Sequence, residues 1–275
     1  MKILITGHLG FIGKNLYSFL TRKGYKVDGY DLSTNPDHFP AVYNYDWVIH
    51  LGANSSTTEK DLNKILKQNF EFSVRLYEQC IKHDVKFQYA SSASVYGLES
   101  NFIEDEFCKP SNPYAFSKYM FDCFLSLEAK QYQGFRYFNV YGHGEDQKGN
   151  QSSPIHKFTK QAYQNKEIKV FKNSQRYLRD FVCVEDVCEM HLKFLKRPDL
   201  VGVWNIGTGK SISFLDVAEI IQKETNCKIT EIDFPQELKN QYQEFTCADL
   251  KKLNKDIGSY EWKTVKDWVE SGDEI

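Results

Sequence analysis

Three glycines at three-residue spacing, Gly7, Gly10 and Gly13, follow the first apolar run, Ile3-Leu4-Ile5, and constrain the chain more than any other feature. A buried strand that turns at once into a helix needs small residues at the corner. Gly7 permits the tight turn, Gly10 lets the backbone approach a diphosphate, and Gly13 lets the helix pack closely on the strand. A helix beginning near Phe11 offers unpaired N–H groups and a positive dipole end to that anion. Glycines that merely close a strand–helix turn leave the same trace, so the motif needs a second signal. Lys26-Val-Asp-Gly-Tyr-Asp31 supplies it, a strand ending in a carboxylate 18 residues after Gly13. An acid at that place accepts both hydroxyls of an adenosine ribose and repels a 2′-phosphate, which favours NAD over NADP.

Beyond this point strand and helix patterns alternate, which predicts an α/β fold: a Rossmann doubly wound parallel sheet with a smaller α/β substrate-binding lid. Asp46 to Leu51 reads as a buried strand before a Gly52-Ala53 turn. A helical stripe runs over residues 60–82. Val85 to Ala90 is the next strand, with Ser91-Ser92 at the end where ligands of such sheets sit. Further elements are a helix from Tyr114 to about Gln131 and a strand from Phe135 to Asn139. Asp180 to Val184 and Val203 to Ile206 are expected to return to the same sheet, and Ser213-x-x-Asp216 to cap a helix through Lys223. Residues 1–143 with 181–206 form the expected dinucleotide-binding domain, and 144–180 with 207–275 the substrate domain.

One interval is too short. About 14 residues separate Asp31 from the strand at Asp46, less than a helix, a strand and a second helix require. The crossover after the second strand is therefore expected to lack a strand and its helix, leaving the adenine pocket unusually open.

Composition narrows the partners. The 275 residues carry a net charge of −2, which gives no electrostatic case for nucleic acid or an anionic membrane surface, and no apolar run approaches a membrane span. A strand that starts at once, with Ile3, is expected to leave no room for a signal peptide or transit sequence. The seven cysteines include no C-x-x-C pair, an odd count that suits reduced thiols in the cytoplasm. The scattered histidines do not suggest a metal site.

The chemistry centres on Ser92, Tyr114 and Lys118. Four residues along a helix return to one face, so phenol and ammonium point the same way. A tyrosine with its ordinary pKa near 10 is a poor base, and an adjacent lysine cation favours the phenolate. The ammonium can also hold the nicotinamide ribose, while Ser92 binds the substrate oxygen whose proton Tyr114 takes as hydride leaves for the nicotinamide. Tyr-x-x-x-Lys alone is commonplace. Here Pro113 and Ser117 flank it, and a serine-rich strand end lies just over 20 residues upstream.

With these residues in view the chain resembles the extended short-chain dehydrogenase/reductases, the superfamily of nucleotide-sugar epimerases and dehydratases. The resemblance runs in order through Thr6 to Gly13, His50 to Ala53, Ser91 to Gly97, Pro113 to Lys118, Phe135 to Gly142, Arg179 to Val182 and Asn205 to Gly209. Within that superfamily Ala53 to Glu59, Lys148-Gly149 and Phe234 to Asp249 are most similar to the ADP-glycero-manno-heptose 6-epimerases. The resemblance implies that the sugar is oxidised at C6 and reduced again from the other face. The acid/base groups would be Tyr114 on one side and Lys148 on the other. It implies NAD or NADP, with cofactor contacts at Phe11, Ile12, Leu51, Gly52, Ala53 and Asn69 besides the glycines, Asp31, Tyr114 and Lys118. Ser92, Asn139, His156, Phe171, Arg179 and Tyr242 would line the nucleotide-sugar pocket, although packing explains His156 and Phe171 equally well. A homo-oligomer paired through the helices near 60–82 and 114–131 is also implied. The chain departs from the heptose pattern at Gln241, where an arginine is expected, and at Leu178, where a basic residue is expected.

Three readings remain open at this stage. The first is a heptose 6-epimerase. The second is a 4-epimerase, 4-reductase or 4,6-dehydratase, the last disfavoured because Ser94-Val95-Tyr96 carries no acid where a dehydratase needs carboxylates. The third is a non-catalytic dinucleotide-binding module, in which Tyr114 and Lys118 would have no reason to persist together.

Overall fold

The computed structural model describes residues 1–36, 38–56, 59–98, 101–105, 107–128, 130–235 and 243–272. Strands β1 (Lys2–Thr6), β2 (Lys26–Tyr30), β3 (Trp47–His50), β4 (Lys86–Ser92), β5 (Tyr132–Tyr137) and β9 (Gly202–Ile206) form one sheet in the order β2-β1-β3-β4-β5-β9. Every pairing in it is parallel. Parallel strands need crossovers, and helices α1 (Phe11–Arg22), α3 (Phe72–Lys82), α4 (Pro113–Glu128) and α6 (Val184–Leu195) supply them. On one face Leu16 and Leu20 of α1 meet Cys188, Leu192 and Leu195 of α6 over Ile3, Ile5 and Ile49. On the other, Leu76 and Cys80 of α3 and Phe121 and Leu125 of α4 cover Val48 and Phe87. Burial on both faces is why these strands read as continuous apolar runs.

Only 16 residues, Asp31 to Asp46, join β2 to β3, and among those described there is no strand or helix. The expected shortening of this crossover is therefore present, and β2 is the edge of the sheet. In place of a helix, Phe39, Val42 and Tyr45 pack against the α3 side of the core. Exposed Lys26 and Asp28 keep the edge charged, which discourages pairing with a further strand.

The remaining chain builds a second, smaller unit. β6 (Asn139–Tyr141), β8 (Leu178–Cys183) and β10 (Ser211–Ser213) make a three-stranded sheet, and β7 (Glu167–Phe171) pairs with β11 (Lys228–Ile232). Helices α5 (Pro154–Asn165), α7 (Phe214–Thr225) and α9 (Val265–Glu270) close a core around Ile155, Val217, Ile221 and Trp268. Ser213 and Asp216 form the expected capping box of α7. One expectation is corrected. The strand around Asp180 to Val184 joins β6 and β10 rather than the main sheet. The outer side of β5 is already taken by β9, and the buried Asp180 carboxylate ties β8 to the amides of Thr208, Gly209 and Ala248. No described helix is long and apolar enough to cross a membrane, and no disulfide joins any of the seven cysteines.

Candidate active site

The glycine corner is as tight as the spacing implied. Gly7 has φ +75°, and a Cβ there would lie 2.5 Å from the backbone of Gly52; at Gly13 it would lie 2.1 Å from the Gly7 carbonyl oxygen. The ends of β1 and β3 thus meet at Gly7 and Gly52, with Leu51 N–H donating to the Thr6 carbonyl. Gly10 is the N-cap of α1 and no side chain caps that end. The amides of Phe11, Ile12 and Gly13 are thereby left to an anion, the arrangement a dinucleotide diphosphate requires. Immediately after β2, Asp31 Oδ1 accepts from the Ser33 amide (3.0 Å) and hydroxyl (2.6 Å), which orients the carboxylate; no described residue engages its other oxygen. These residues fit NAD, whose function when bound is to accept and return a hydride.

On the far side of the switch point, Ser92 ends β4 and α4 brings Tyr114 and Lys118 to it. Pro113 sits at the first turn of α4, and Asn112 Oδ1 caps the Ala115 amide at 2.9 Å. Ser92 Oγ accepts from the Ser94 amide (3.2 Å) and hydroxyl (2.9 Å), so its own proton can go to the Tyr114 oxygen. Burial raises the Tyr114 pKa above the ordinary tyrosine value, and the opposing influence is the Ser92 hydrogen bond. Lys118, nearly fully buried, donates to the Ala90 carbonyl at 2.8 Å; burial lowers its pKa to about 8, with Asp122 pulling the other way. In this geometry the Ser92 hydrogen bond favours the phenolate.

Two buried networks hold this trio, neither of which the sequence reading identified. The first starts at Thr6, whose hydroxyl meets His50 Nδ1 at 2.6 Å; His50 Nε2 meets Ser73 Oγ at 2.8 Å, and Ser73 donates to the Asn69 carbonyl at 2.5 Å. Asn69 lies in a π-helical turn, Lys67–Glu71, between α2 (Leu62–Leu66) and α3. Its carboxamide takes the Asn54 amide (2.7 Å) and donates to the Asn54 carbonyl and to Ser117 Oγ. The Asn69 side chain thus ties the loop after β3 to the helix of Tyr114. Burial, followed by the charge of Lys118, lowers the His50 pKa to about 3, so the ring is neutral.

The second network is ionic. Asp122, one turn after Lys118, accepts from Tyr89 (2.8 Å), Ser91 (2.9 Å) and Arg136 Nε (2.9 Å), and both ends of the ion pair are buried. Arg136 also donates to the Glu104 carbonyl and lies over the Tyr96 ring. The clue in the sequence was Asp122 at the same four-residue interval from Lys118 that separates Lys118 from Tyr114. His8 was likewise missed: its ring fills the space above Gly29, where a Cβ would come within 2.3 Å of it.

The structure brings Lys148 to the start of α1. Its Nζ lies 4.9 Å from the centroid of the Phe11 ring and 3.4 Å from Glu145, a buried carboxylate fixed by the Gly142 amide and by Ser153. Lys14–Gln147 (2.7 Å) and Asn15–His143 (2.9 Å) bonds stitch the same segment to α1. His156, on the first turn of α5, pairs with Asp146 at 3.4 Å. Asn139 donates to the Asp180 carbonyl, and Arg179 to the Leu178 and Gln243 carbonyls while lying over Phe214. Phe171 packs edge-on against Phe234, apart from these groups in an aromatic cluster with Tyr177. Tyr242 and Gln241 lie outside the described residues.

Residues 3–207 match the model of the NAD dependent epimerase/dehydratase family. The chain belongs to that family. It is 34% identical, over 91% of its length and 90% of the other's, to an ADP-L-glycero-D-manno-heptose-6-epimerase from Brachyspira hyodysenteriae. The crystal structure of the Helicobacter pylori enzyme of the same name superposes with a TM-score of 0.86 at 26% identity, covering 98% of this chain and 94% of that one. A UDP-N-acetylglucosamine 4-epimerase from Methanobrevibacter ruminantium shares the fold at a TM-score of 0.84 and 24% identity, covering 98% and 97%. Family membership makes the chain an NAD-dependent nucleotide-sugar epimerase. It leaves the sugar to be read from Lys148 and its surroundings.

Proposed function

We propose that the chain epimerises an ADP-linked glycero-manno-heptose at C6, with NAD bound along α1 and Asp31. The observation that carries this reading is the position of Lys148 over Phe11, the first residue of the diphosphate-binding helix. A 4-epimerase can run on Ser92, Tyr114 and Lys118 alone. Inverting an exocyclic carbinol asks for a second proton donor on the opposite side of the carbon.

In this scheme Ser92 would hold the C6 oxygen and Tyr114 would take its proton, with NAD, when bound, supplying the acceptor for the C6 hydride, so that a planar ketone results. Lys118 holds the ribose beside Tyr114. The ketone would turn about its exocyclic bond, and Lys148, paired with Glu145, would give a proton to the oxygen as the hydride is restored to the other face of C6. Asn139, His156, Arg179 and Tyr242 would hold the nucleotide and sugar, and Phe171 would contribute at the rim. We assign the dinucleotide to the unit of the six-stranded sheet and the substrate to the smaller unit, with the expected bounds (1–143 and 181–206, 144–180 and 207–275) shifted so that β6 and β8 fall in the smaller one. A cytoplasmic homo-oligomer fits this reading, since Leu62, Phe116 and Leu127 expose apolar surface on α2 and α4.

Incubation with ADP-heptose tests the proposal: configuration at C6 should change with no net build-up of NADH. In Lys148→Ala, turnover should fall by about 10²-fold or more with NAD binding intact. Activity close to that of the parent would place the chemistry at C4 instead.

A further inference from the structure

We infer that, among the described residues, the turn after β2 gives the adenine base no outer wall, and that the chain recognises the adenosine half of its cofactor at the ribose, through Asp31. The inference rests on the dinucleotide reading of the glycine corner and goes beyond it. The diphosphate belongs at the start of α1, above the end of β1, and the ribose at Asp31, just past the end of the neighbouring β2. The direction from one to the other runs toward the margin of the sheet. The next group along the cofactor, the base, would then lie toward the margin of the sheet, where β2 is the last strand.

In a sheet with one strand more, the end of that strand and its following loop would wall the base. Here the 16 residues that could have built it are used otherwise. The Thr34 and Asn35 amides turn back onto the Asp31 carbonyl at 3.2 and 3.0 Å. The Tyr30 hydroxyl holds the Asn35 and His38 carbonyls at 3.2 and 2.7 Å. Phe39 then drops away from the strand ends to pack on Phe72, with Arg75 4.2 Å from its ring. What remains beside the ribose site is the tip of this turn, Leu32, Ser33 and Thr34, all exposed. Ser33 itself is committed to Asp31, with both amide and hydroxyl on Oδ1. The carboxylate is thus fixed while the base meets solvent on the outer side.

Recognition confined to the ribose has a distinctive signature. Binding should tolerate changes to the base and resist a 2′-phosphate, whose charge Asp31 opposes. Calorimetric titration of the purified chain would compare NAD, NADP, nicotinamide hypoxanthine dinucleotide and nicotinamide 1,N6-ethenoadenine dinucleotide. Both altered-base analogues should bind within about threefold of NAD, and NADP at least about tenfold more weakly, since one lost hydrogen bond or an opposed charge corresponds to roughly that factor. Acrylamide should quench the bound ethenoadenine fluorophore nearly as readily as the free nucleotide. Asp31→Ala should weaken NAD and erase the preference against NADP, without altering the ratio of NAD to the hypoxanthine analogue. A tenfold or greater penalty for either altered base, or strong protection from acrylamide, would overturn the inference while leaving the proposed reaction intact. Failure of NAD itself to bind would remove both.

Discussion

At the β4–α4 end of the cleft the polar groups beneath Tyr114 and Lys118 are tied to a second or third element, whereas at the β2 end Asp31 is held only by its own turn. Asp122 joins α4 to β4 through Tyr89 and Ser91 and to β5 through Arg136. Asn69 joins the loop after β3 to Ser117 of the same helix. The contrast follows the chemistry asked of each end. Proton transfer needs an oxygen placed to within a fraction of an ångström, and a low-dielectric surround to make its hydrogen bonds count. Holding a ribose needs one carboxylate aimed the right way.

If that contrast is real, changes at the catalytic end should be costly and changes at the β2 end cheap. The largest effect is expected at Tyr114. Tyr114→Phe should lower turnover by about 10³-fold, the usual scale for loss of a positioned acid/base, with NAD affinity little changed. Equal loss of NAD affinity would mean that the phenol holds the cofactor rather than a substrate proton. Next comes the ion pair. Asp122→Ala strands the Arg136 charge in the core, which costs about 3–5 kcal/mol and should lower the melting temperature by about 10 °C. A shift of a degree or two would show that water reaches Arg136 and that the network is looser than its distances.

A pH series probes the same end without mutation. His50 and His191 are buried and neutral, and burial lowers each pKa to about 3 from an ordinary 6.5. Between those values the unfolded chain binds protons that the folded chain does not, so stability rises with pH. Their contribution is complete above about 6.5 and is lost as the pH falls toward 3. Lowering the pH from 7.5 to 5.5 should remove about 2–3 kcal/mol by chemical unfolding, one pKa unit being worth about 1.4 kcal/mol per group. Flat stability over that interval would mean the rings already carry protons in the fold.

How much of this was readable beforehand depended on the range over which each signal acts. Gly7, Gly10, Gly13 and Asp31 lie within one β–α–β unit, where spacing along the chain is nearly spacing in space. Tyr114 and Lys118 share a helix face for the same reason. The short interval before Asp46 likewise revealed an absent strand, because chain length bounds what can be built. Asp122–Arg136 and His50–Ser73 join separate elements, and no local period marks such pairs. The misplacing of Asp180–Val184 has a related cause: an apolar strand looks alike whichever sheet it joins, and β9 had already taken the edge of β5. Even Lys148 could not be told from a solvated charge until its segment was seen bonded to α1.

The smallest effect should come from the β2 end. Asp28 accepts from Tyr45 at 2.9 Å and pairs with Lys2 at 3.0 Å, yet both charged side chains are about half exposed, at 41% and 51%. A pair so open to water and salt contributes at most about 1 kcal/mol. Asp28→Asn should therefore move the melting temperature by no more than about 2 °C and leave NAD affinity as it was. The comparison with Asp122→Ala is the sharp one, since each change removes a carboxylate that accepts from a tyrosine hydroxyl and pairs with a base. If Asp28→Asn proved as damaging as the loss of Asp122, the edge strand would have to be part of the cooperative core. Phe39, Val42 and Tyr45 would then be replacing the missing helix in full rather than covering the surface it left.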